Sequence, residues 1–179
     1  MEINSTHIVG HKQALMNYMD KLHDALNYRM LGNPTVAIGT TSKKTIKTTT
    51  AVACVNGVLV SVTGAETAFT ATTHDIAANA SAVQEAVYLV VADSAGTITL
   101  VMGDIATGAG NALIPACPAG KVALGYARIA IAAGATAFDA SSDDLDAAHI
   151  TDTYVSFGGN ASLLGRFDDA WAPGDVTAE

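Results

Sequence analysis

Two histidines near the N-terminus, His7 and His11, have the spacing of two zinc ligands on one face of a helix. The segment lacks the glutamate of the His-Glu-x-x-His arrangement, which supplies the general base in zinc peptidases. Two solvated histidines on one helix face therefore explain the pattern better. The other histidines, His23, His74 and His149, are isolated in the sequence, and we predict no metal site at any of them.

Four aspartates form an acidic cluster near the C-terminal third of the chain, at Asp139, Asp143, Asp144 and Asp146. Carboxylates in a tight loop could bind calcium together with backbone oxygens. The cluster has neither the ligand spacing of an EF-hand nor its glycine. Solvated carboxylates that cap turns and helix ends are the preferred interpretation, and calcium binding stays open as the alternative.

Other reactive patterns are incomplete. Gly120-Lys121 ends like a phosphate-binding loop, but Pro115 stands where that loop needs a glycine, and no Ser or Thr follows the lysine. Cys54 and Cys117 lack metal-ligand spacing and are predicted to be free thiols. No Ser or Cys lies in a nucleophile-elbow context. The sequence therefore predicts a protein that is not an enzyme, with no catalytic residue and no cofactor.

The clearest structural signal is a hairpin over residues 45–63, where two β-branched runs flank Asn56-Gly57. A type I′ turn needs positive φ at both central residues, which Asn and Gly tolerate. With that turn, one face of the hairpin is entirely apolar, and the other grades from apolar near the turn to hydroxyl-bearing at the open end. The predicted pairs are Val55 with Val58, Ala53 with Val60 and Ala51 with Val62 on the first face, and Cys54 with Leu59, Val52 with Ser61 and Thr50 with Thr63 on the second.

Further strands follow the hairpin in antiparallel order. We predict a short strand around Phe69, a second hairpin of residues 86–92 and 97–102 joined by a turn at 93–96, a long strand at 121–133 that returns at 135–138, and a strand at 153–157. Residues 86–92 are strongly apolar, which predicts a strand buried on both faces. Residues 103–120 are a connection rich in Gly, Ala and Pro. The predicted fold is mainly β, with an antiparallel β-sandwich or barrel as the body and an N-terminal α-helical leader.

The leader helix is predicted over residues 5–31, because Gly32 supplies a C-terminal cap and Pro34 stops the helix. Its large apolar residues recur with coiled-coil spacing, at Leu15, Met19, Leu22 and Leu26. Such a stripe more often packs on the helix's own domain. Here the body is separate and β-rich, which favours a docking or oligomer interface with a partner.

The chain therefore divides into a leader or docking arm (residues 1–34), a β-rich body (residues 35–157) and a C-terminal arm (residues 158–179). The arm places large apolar side chains in a polar frame, and we predict that they lie on a neighbour or on the arm's own body. These candidate interface residues are Leu163, Leu164, Phe167 and Trp171.

Charge is unevenly distributed along the chain. Of the net charge of −8, residues 1–50 hold +3, and the remaining residues hold −11 from 3 basic and 14 acidic side chains. An acidic body argues against a nucleic-acid partner, because phosphate binding needs Lys and Arg on one face. Met1 is followed by no secretory signal, and no apolar run is long enough to span a membrane. We predict a protein that is made in the cytoplasm and binds neither nucleic acid nor membrane.

Three stretches resemble the small virion structural proteins of tailed bacteriophages. They are Ile38-Gly-Thr-Thr running into Val55-Asn-Gly-Val58, then Leu113-Ile-Pro-Ala-Cys-Pro-Ala-Gly-Lys-Val-Ala-Leu-Gly-Tyr126, and Phe138 through Tyr154. The resemblance covers residues 35–157. It implies a capsid decoration (cement) or head-fibre protein on the virion surface, usually a homotrimer, whose partners are the major capsid protein or other virion proteins. It implies no catalytic residue.

Two functions are consistent with this resemblance. The first is a decoration protein that reinforces the capsid and is attached through its N-terminal helix and C-terminal arm. The alternative is a fibre or appendage domain that binds a receptor or glycan. That alternative would need an exposed aromatic cluster, and the chain has only 4 Phe, 5 Tyr and 1 Trp to form one.

Overall fold

The computed structural model describes residues 15–19 and 29–158. Residues 15–19 are helical, and the regular structure of residues 29–158 is β-strand. The strands are β1 (Arg29–Met30), β2 (Val36–Ile38), β3 (Thr45–Thr48), β4 (Ala51–Val55), β5 (Val58–Val62), β6 (Glu66–Ala68), β7 (Gln84–Asp93), β8 (Ile98–Met102), β9 (Ala106–Thr107), β10 (Lys121–Ile131) and β11 (Ile150–Ser156).

The strands form three antiparallel sheets around one hydrophobic core. One sheet has the order β1-β4-β5, and another has the order β2-β3-β6. The largest has the order β11-β10-β7-β8, with β9 also paired to β7. The prediction of a mainly β, antiparallel protein is confirmed. Its finer form, a sandwich or barrel, stays a prediction.

The β4–β5 hairpin has the predicted register. Five of the predicted pairs form, from Val55 opposite Val58 to Ala51 opposite Val62. Asn56 and Gly57 have φ values of 52° and 74°, as a type I′ turn requires. The sixth predicted pair, Thr50 with Thr63, lies just beyond the strand ends.

The second predicted hairpin is β7–β8, and its turn is fixed by one carboxylate. Asp93 Oδ1 accepts hydrogen bonds from the backbone N–H groups of Ala95 (2.9 Å) and Thr97 (3.0 Å). Gly96 supplies the positive φ, at 78°. β7 is buried on both faces, as its unbroken apolar run predicts, and its two edges pair with β8 and β10 in the largest sheet.

A β-bulge in β10 lets a second sheet approach the largest one. The pairing of β10 with β7 shifts register between Ala123 and Gly125. A methyl group at Gly125 would clash with the carbonyl oxygen of Val155 and lie 2.7 Å from a Val36 side-chain carbon. The Val36 N–H donates to Ser156 Oγ at 2.8 Å, which joins β2 to β11. Glycine is required here because two backbones and a side chain meet at this point.

An aromatic cluster fills the core beside β7. The ring of Phe69 packs edge-to-face against Tyr88 and Phe138, with centroids 5.0 Å and 5.7 Å away. The Tyr88 hydroxyl donates to the backbone oxygen of His74 at 2.6 Å, so the buried phenol has a partner. These contacts fix the irregular segment that follows β6 onto the largest sheet.

The leader helix was predicted to run to residue 31, and this is wrong at its C-terminal end. Arg29 and Met30 form β1, which pairs with Cys54 and Ala53 of β4. The Leu31 N–H continues the ladder by donating to the Val52 oxygen at 2.8 Å. Met30 is buried in the core. Burial against β4 therefore outweighs the helical periodicity of the sequence.

The strand predicted at residues 135–138 is also wrong. Phe138 forms only an isolated bridge with Ile76, and the strand that returns beside β10 is β11. The prediction of a strand at 153–157 thus locates β11 but starts too late, since β11 begins at Ile150. The long strand predicted at 121–133 is β10, which ends at Ile131.

Candidate docking surfaces

The helical residues 15–19 expose two of the eight predicted interface residues. Leu15 is 61% exposed and Met19 is 56% exposed. They are four residues apart, so they share one face of the helix. The other six predicted residues, Leu22, Leu26, Leu163, Leu164, Phe167 and Trp171, lie outside the described residues, as do His7 and His11.

A second apolar surface lies on the β1–β4–β5 sheet. We call it the outer face and define it by Leu31, Val52 and Leu59, which are 41%, 42% and 68% exposed. Leu31 is next to Val52 through the β1–β4 ladder, and Val52 is diagonal to Leu59 across the β4–β5 register. The opposite face of the same sheet is in the core, except for Val58 beside the turn, which is 55% exposed. This surface is not among the interfaces predicted from the sequence, although the second, partly apolar face of the hairpin is its signal there.

A third apolar feature lies in the connection between β8 and β10, where Ile105, Leu113 and Ile114 are exposed. Backbone hydrogen bonds attach this connection to the largest sheet. The Gly103 N–H donates to the Val87 oxygen at 2.8 Å, and the Gly108 N–H donates to the Val83 oxygen at 2.9 Å. The apolar side chains are therefore presented by a segment held to β7.

A buried carboxylate fixes the middle of the same connection. Glu85 accepts hydrogen bonds from the backbone N–H groups of Gly110 (2.8 Å) and Ala112 (3.1 Å). Its Oε1 also pairs with the guanidinium of Arg128 on the neighbouring strand β10. The Glu85 side chain is almost fully buried, so the ion pair and the two N–H donors together compensate its lost hydration.

The space beside this ion pair is a cleft of about 220 Å³ with a mostly apolar lining. Glu85 and Arg128 lie at its wall with Thr151 and Thr153 of β11. Because three donors already converge on the Glu85 carboxylate, that group is bound as a structural anchor.

A second carboxylate, Glu66 on β6, closes the turn between β2 and β3. Its oxygens accept from the backbone N–H groups of Thr40 and Thr41 at 2.8 Å and of Ser42 at 3.1 Å. The Thr45 hydroxyl donates to it as well. The hydrogen bond from Thr41 is the largest of the effects that lower the pKa of Glu66 from 4.5 to about 2. This carboxylate therefore keeps its charge into strongly acidic solution.

His74 is a core residue. Its Nδ1 accepts a hydrogen bond from the Thr70 N–H at 2.8 Å, and its ring packs edge-to-face against Tyr88. Burial lowers the pKa of His74, with Asp75 opposing that shift. A neutral imidazole used as a hydrogen-bond acceptor suits a structural role.

The acidic cluster is engaged in turn formation. Asp139 Oδ1 accepts from the Ser141 N–H at 2.8 Å and from its hydroxyl at 2.7 Å, and the Ser141 hydroxyl is the main cause of the lowered pKa of Asp139. Asp143 Oδ2 accepts from the Asp139 N–H at 2.8 Å. Across the part of the chain that the structure describes, no three His, Cys, Asp or Glu side chains are arranged to hold a metal ion. These contacts favour the turn-capping interpretation.

The two cysteines are free thiols, with Cys54 buried and Cys117 exposed. Burial is the main cause that raises the pKa of Cys117, and the charge of Lys121 opposes it. A raised pKa reduces the fraction of nucleophilic thiolate.

Within residues 15–19 and 29–158, none of the helical structure has the length and apolar character needed to cross a bilayer. Comparison with protein families, with curated proteins and with solved structures finds no match for this chain.

Proposed function

We propose that this protein is a non-enzymatic structural component of a tailed-bacteriophage virion, which decorates and reinforces the capsid. It is attached to the particle through its N-terminal helix and its C-terminal arm, and it assembles as a homotrimer on the capsid surface. Its partners are the major capsid protein or other virion proteins. The resemblance of residues 35–157 to small virion proteins supplies this class.

The observation that supports attachment is the exposed pair Leu15 and Met19. Their helical segment precedes a body whose own strands already share one core. Met16 and Tyr18 of the same segment are also exposed, at 50% and 48%. Large apolar side chains that remain exposed on a helix are typical of a docking site for another protein. Each such side chain contributes about 1.5 to 3 kcal/mol when fully buried.

The charge distribution is consistent with the same arrangement. Residues 1–34 carry no net charge, because Lys12, Lys21 and Arg29 balance three acidic residues, whereas the rest of the chain carries −8. Like-charged bodies repel one another in solution, whereas the neutral leader remains able to approach an apolar surface. Charges at the rim of such a contact mainly affect its association rate and its sensitivity to salt.

The fibre alternative has less support. A glycan site would use a cluster of exposed aromatic rings as stacking surfaces, but Phe69, Tyr88 and Phe138 are buried in the core. Among the described residues, Tyr18 is the one Phe or Tyr in the exposed class, and a single ring forms no cluster. The proposal therefore places recognition on aliphatic surfaces that suit a protein partner.

The test is co-purification with virus particles. The wild-type protein is expected to remain on full particles at a stoichiometry near that of the shell protein. Leu15→Asp and Met19→Asp should each reduce occupancy at least tenfold, because an unpaired carboxylate would be placed in an apolar contact. Asn17→Asp adds the same charge about 200° around the helix and is the matched control.

A deletion that separates docking from folding must end no later than residue 28, because β1 begins at Arg29 and Met30 belongs to the core. The protein without residues 1–28 should fold and fail to decorate particles. Wild-type occupancy of the truncated protein would transfer the docking role to the body or to the Trp171 arm. Absence of the wild-type protein from purified particles would contradict the proposed function itself.

A further inference from the structure

The outer face of the β1–β4–β5 sheet is an exposed apolar surface of the body. Leu31, Val52 and Leu59 form a continuous strip across its three strands. Cys54 lies opposite Leu59 on the same face and is buried. The strip crosses the full width of a small sheet, so a single extended segment is sufficient to cover it.

The last described residues bring the C-terminal arm to the edge of this sheet. The Phe157 N–H donates to the Leu124 oxygen at 2.9 Å, which holds the end of the body in place. A methyl group at Gly158 would lie 3.0 Å from Asn33 Oδ1, so the chain passes directly beside Asn33. Asn33 is two residues after Leu31. The arm therefore leaves the body next to the first residue of the outer face.

The chain between Gly158 and Leu163 is long enough to cross the outer face. Leu163 is five residues beyond Gly158, which gives a reach of about 17 Å for an extended chain. The strip crosses two strand spacings, which together are about 10 Å. Four residues, Gly-Asn-Ala-Ser, separate Gly158 from Leu163 in the sequence. Leu163 and Leu164 are the first large apolar residues after Gly158.

We propose that the C-terminal arm folds back onto its own body, where Leu163 and Leu164 cover the outer face. The occupant is the arm of the same chain, because a tether this short gives an effective concentration that a separate molecule reaches only in concentrated solution. Phe167 and Trp171 lie further along the arm and remain for contact with a partner. This docking goes beyond the proposed function and does not depend on it.

Tryptic cleavage after Arg166 in the free, full-length protein tests the proposal, because this residue follows the docked leucines. The release of residues 167–179 is followed by intact mass. Leu59→Asp should accelerate that release about tenfold, since proteolysis follows the population of the undocked arm. Val58→Asp is the matched control, because it adds the same charge to the adjacent exposed residue on the other side of the sheet. Equal release from the wild type and Leu59→Asp would overturn the proposal.

A second measurement needs no substitution. Nuclear Overhauser contacts are expected between the methyl groups of Leu163 or Leu164 and those of Val52 or Leu59 in the dilute wild-type protein. A sample that mixes two differently labelled populations separates contacts within one chain from contacts between copies. Contacts seen only between copies, or none at all, would overturn docking within the chain. Because no virus particle is present, either failure is distinguishable from failure of capsid attachment.

Discussion

Single carboxylates in this protein fix segments that lack regular structure. Glu66 gathers the backbone N–H groups of the β2–β3 turn, and Glu85 gathers those of the connection between β8 and β10. Both residues lie on strands, and both accept from main-chain donors that no strand partner satisfies. Loop position is therefore set by a side chain whose charge is compensated locally.

Glu66 should contribute to acid stability in a defined pH window. Its folded-state pKa of about 2 is below the ordinary value of 4.5, so its contribution is complete above pH 4.5 and is lost as the pH falls toward 2. Glu66→Gln should lower the melting temperature at neutral pH, and the difference from wild type should shrink through that window. Thermal melts at a series of pH values measure this. Parallel curves for the two proteins would contradict the assignment.

Glu85→Gln should destabilise the protein by about 2 to 4 kcal/mol, because the amide group would face a backbone donor and Arg128 would lose its charged partner. Urea denaturation measures the change in free energy of unfolding. Faster hydrogen exchange at Gly110 and Ala112 should accompany it. Asp104→Asn, an exposed carboxylate change in the same connection, should stay within about 0.5 kcal/mol. Equal effects of the two substitutions would show that Glu85 is not the anchor.

At the scale of elements, turns and edge contacts determine which strands pair. The Asn56-Gly57 turn fixes the register of β4 with β5, and the free side of β4 then accepts β1. The Asn56-Gly57 turn therefore positions an edge of β4, and residues 29–30 pair with that edge as a strand although their sequence has helical periodicity.

Gly57→Ala should cost about 1 kcal/mol, because a Cβ atom is unfavourable at a φ of 74°. Gly57→Asn is the matched comparison and should cost less, since Asn adopts positive φ more readily than Ala. Urea midpoints compare the two variants. A larger loss for Asn than for Ala would contradict the type I′ assignment.

The inclusion of β1 in the body is tested by a matched pair of methionines. Met30 is buried on β1, whereas Met16 is exposed on the helical segment. Met30→Ala should destabilise the protein by about 2 to 5 kcal/mol, and Met16→Ala should stay within about 0.5 kcal/mol. The free energy of unfolding decides between them. Similar losses of stability in the two variants, or no loss in either, would indicate that residues 29–30 do not belong to the body.

At the scale of the whole molecule, three small sheets share one core and leave aliphatic surfaces at the helical segment, the outer face and the β8–β10 connection. A protein that contacts more than one neighbour requires several separate apolar surfaces, and this small body has them. That arrangement is consistent with a repeating position on a particle.

We expect the purified protein to be a homotrimer, as the resemblance implies and as the Leu15 and Met19 surface permits. Sedimentation equilibrium at micromolar concentration measures its mass. Leu15→Asp should shift the equilibrium toward monomer, whereas Asn17→Asp should not. A monomer mass for the wild type would count against self-assembly through this helix.

The sequence by itself determined the elements whose signals are local. The Asn56-Gly57 turn fixed a complete hairpin register, and the unbroken apolar run of residues 86–92 indicated a strand buried on both faces. The Asp93 turn and the long strand beginning at Lys121 were likewise predictable. In each case residues close in sequence specify their own backbone conformation or period.

Tertiary structure alone decided the features that depend on distant partners. Met30 became a strand residue because β4 offered an unpaired edge, and Phe138 became a core residue because Phe69 and Ile76 lay opposite it. No sequence feature distinguishes Glu85 from the other glutamates, because its backbone donors, Gly110 and Ala112, lie 25 and 27 residues away along the chain. Tertiary structure also decided that the outer face is exposed, because exposure depends on which sheets the fold leaves uncovered. Such contacts join residues far apart in the chain, and local periodicity contains no information about them.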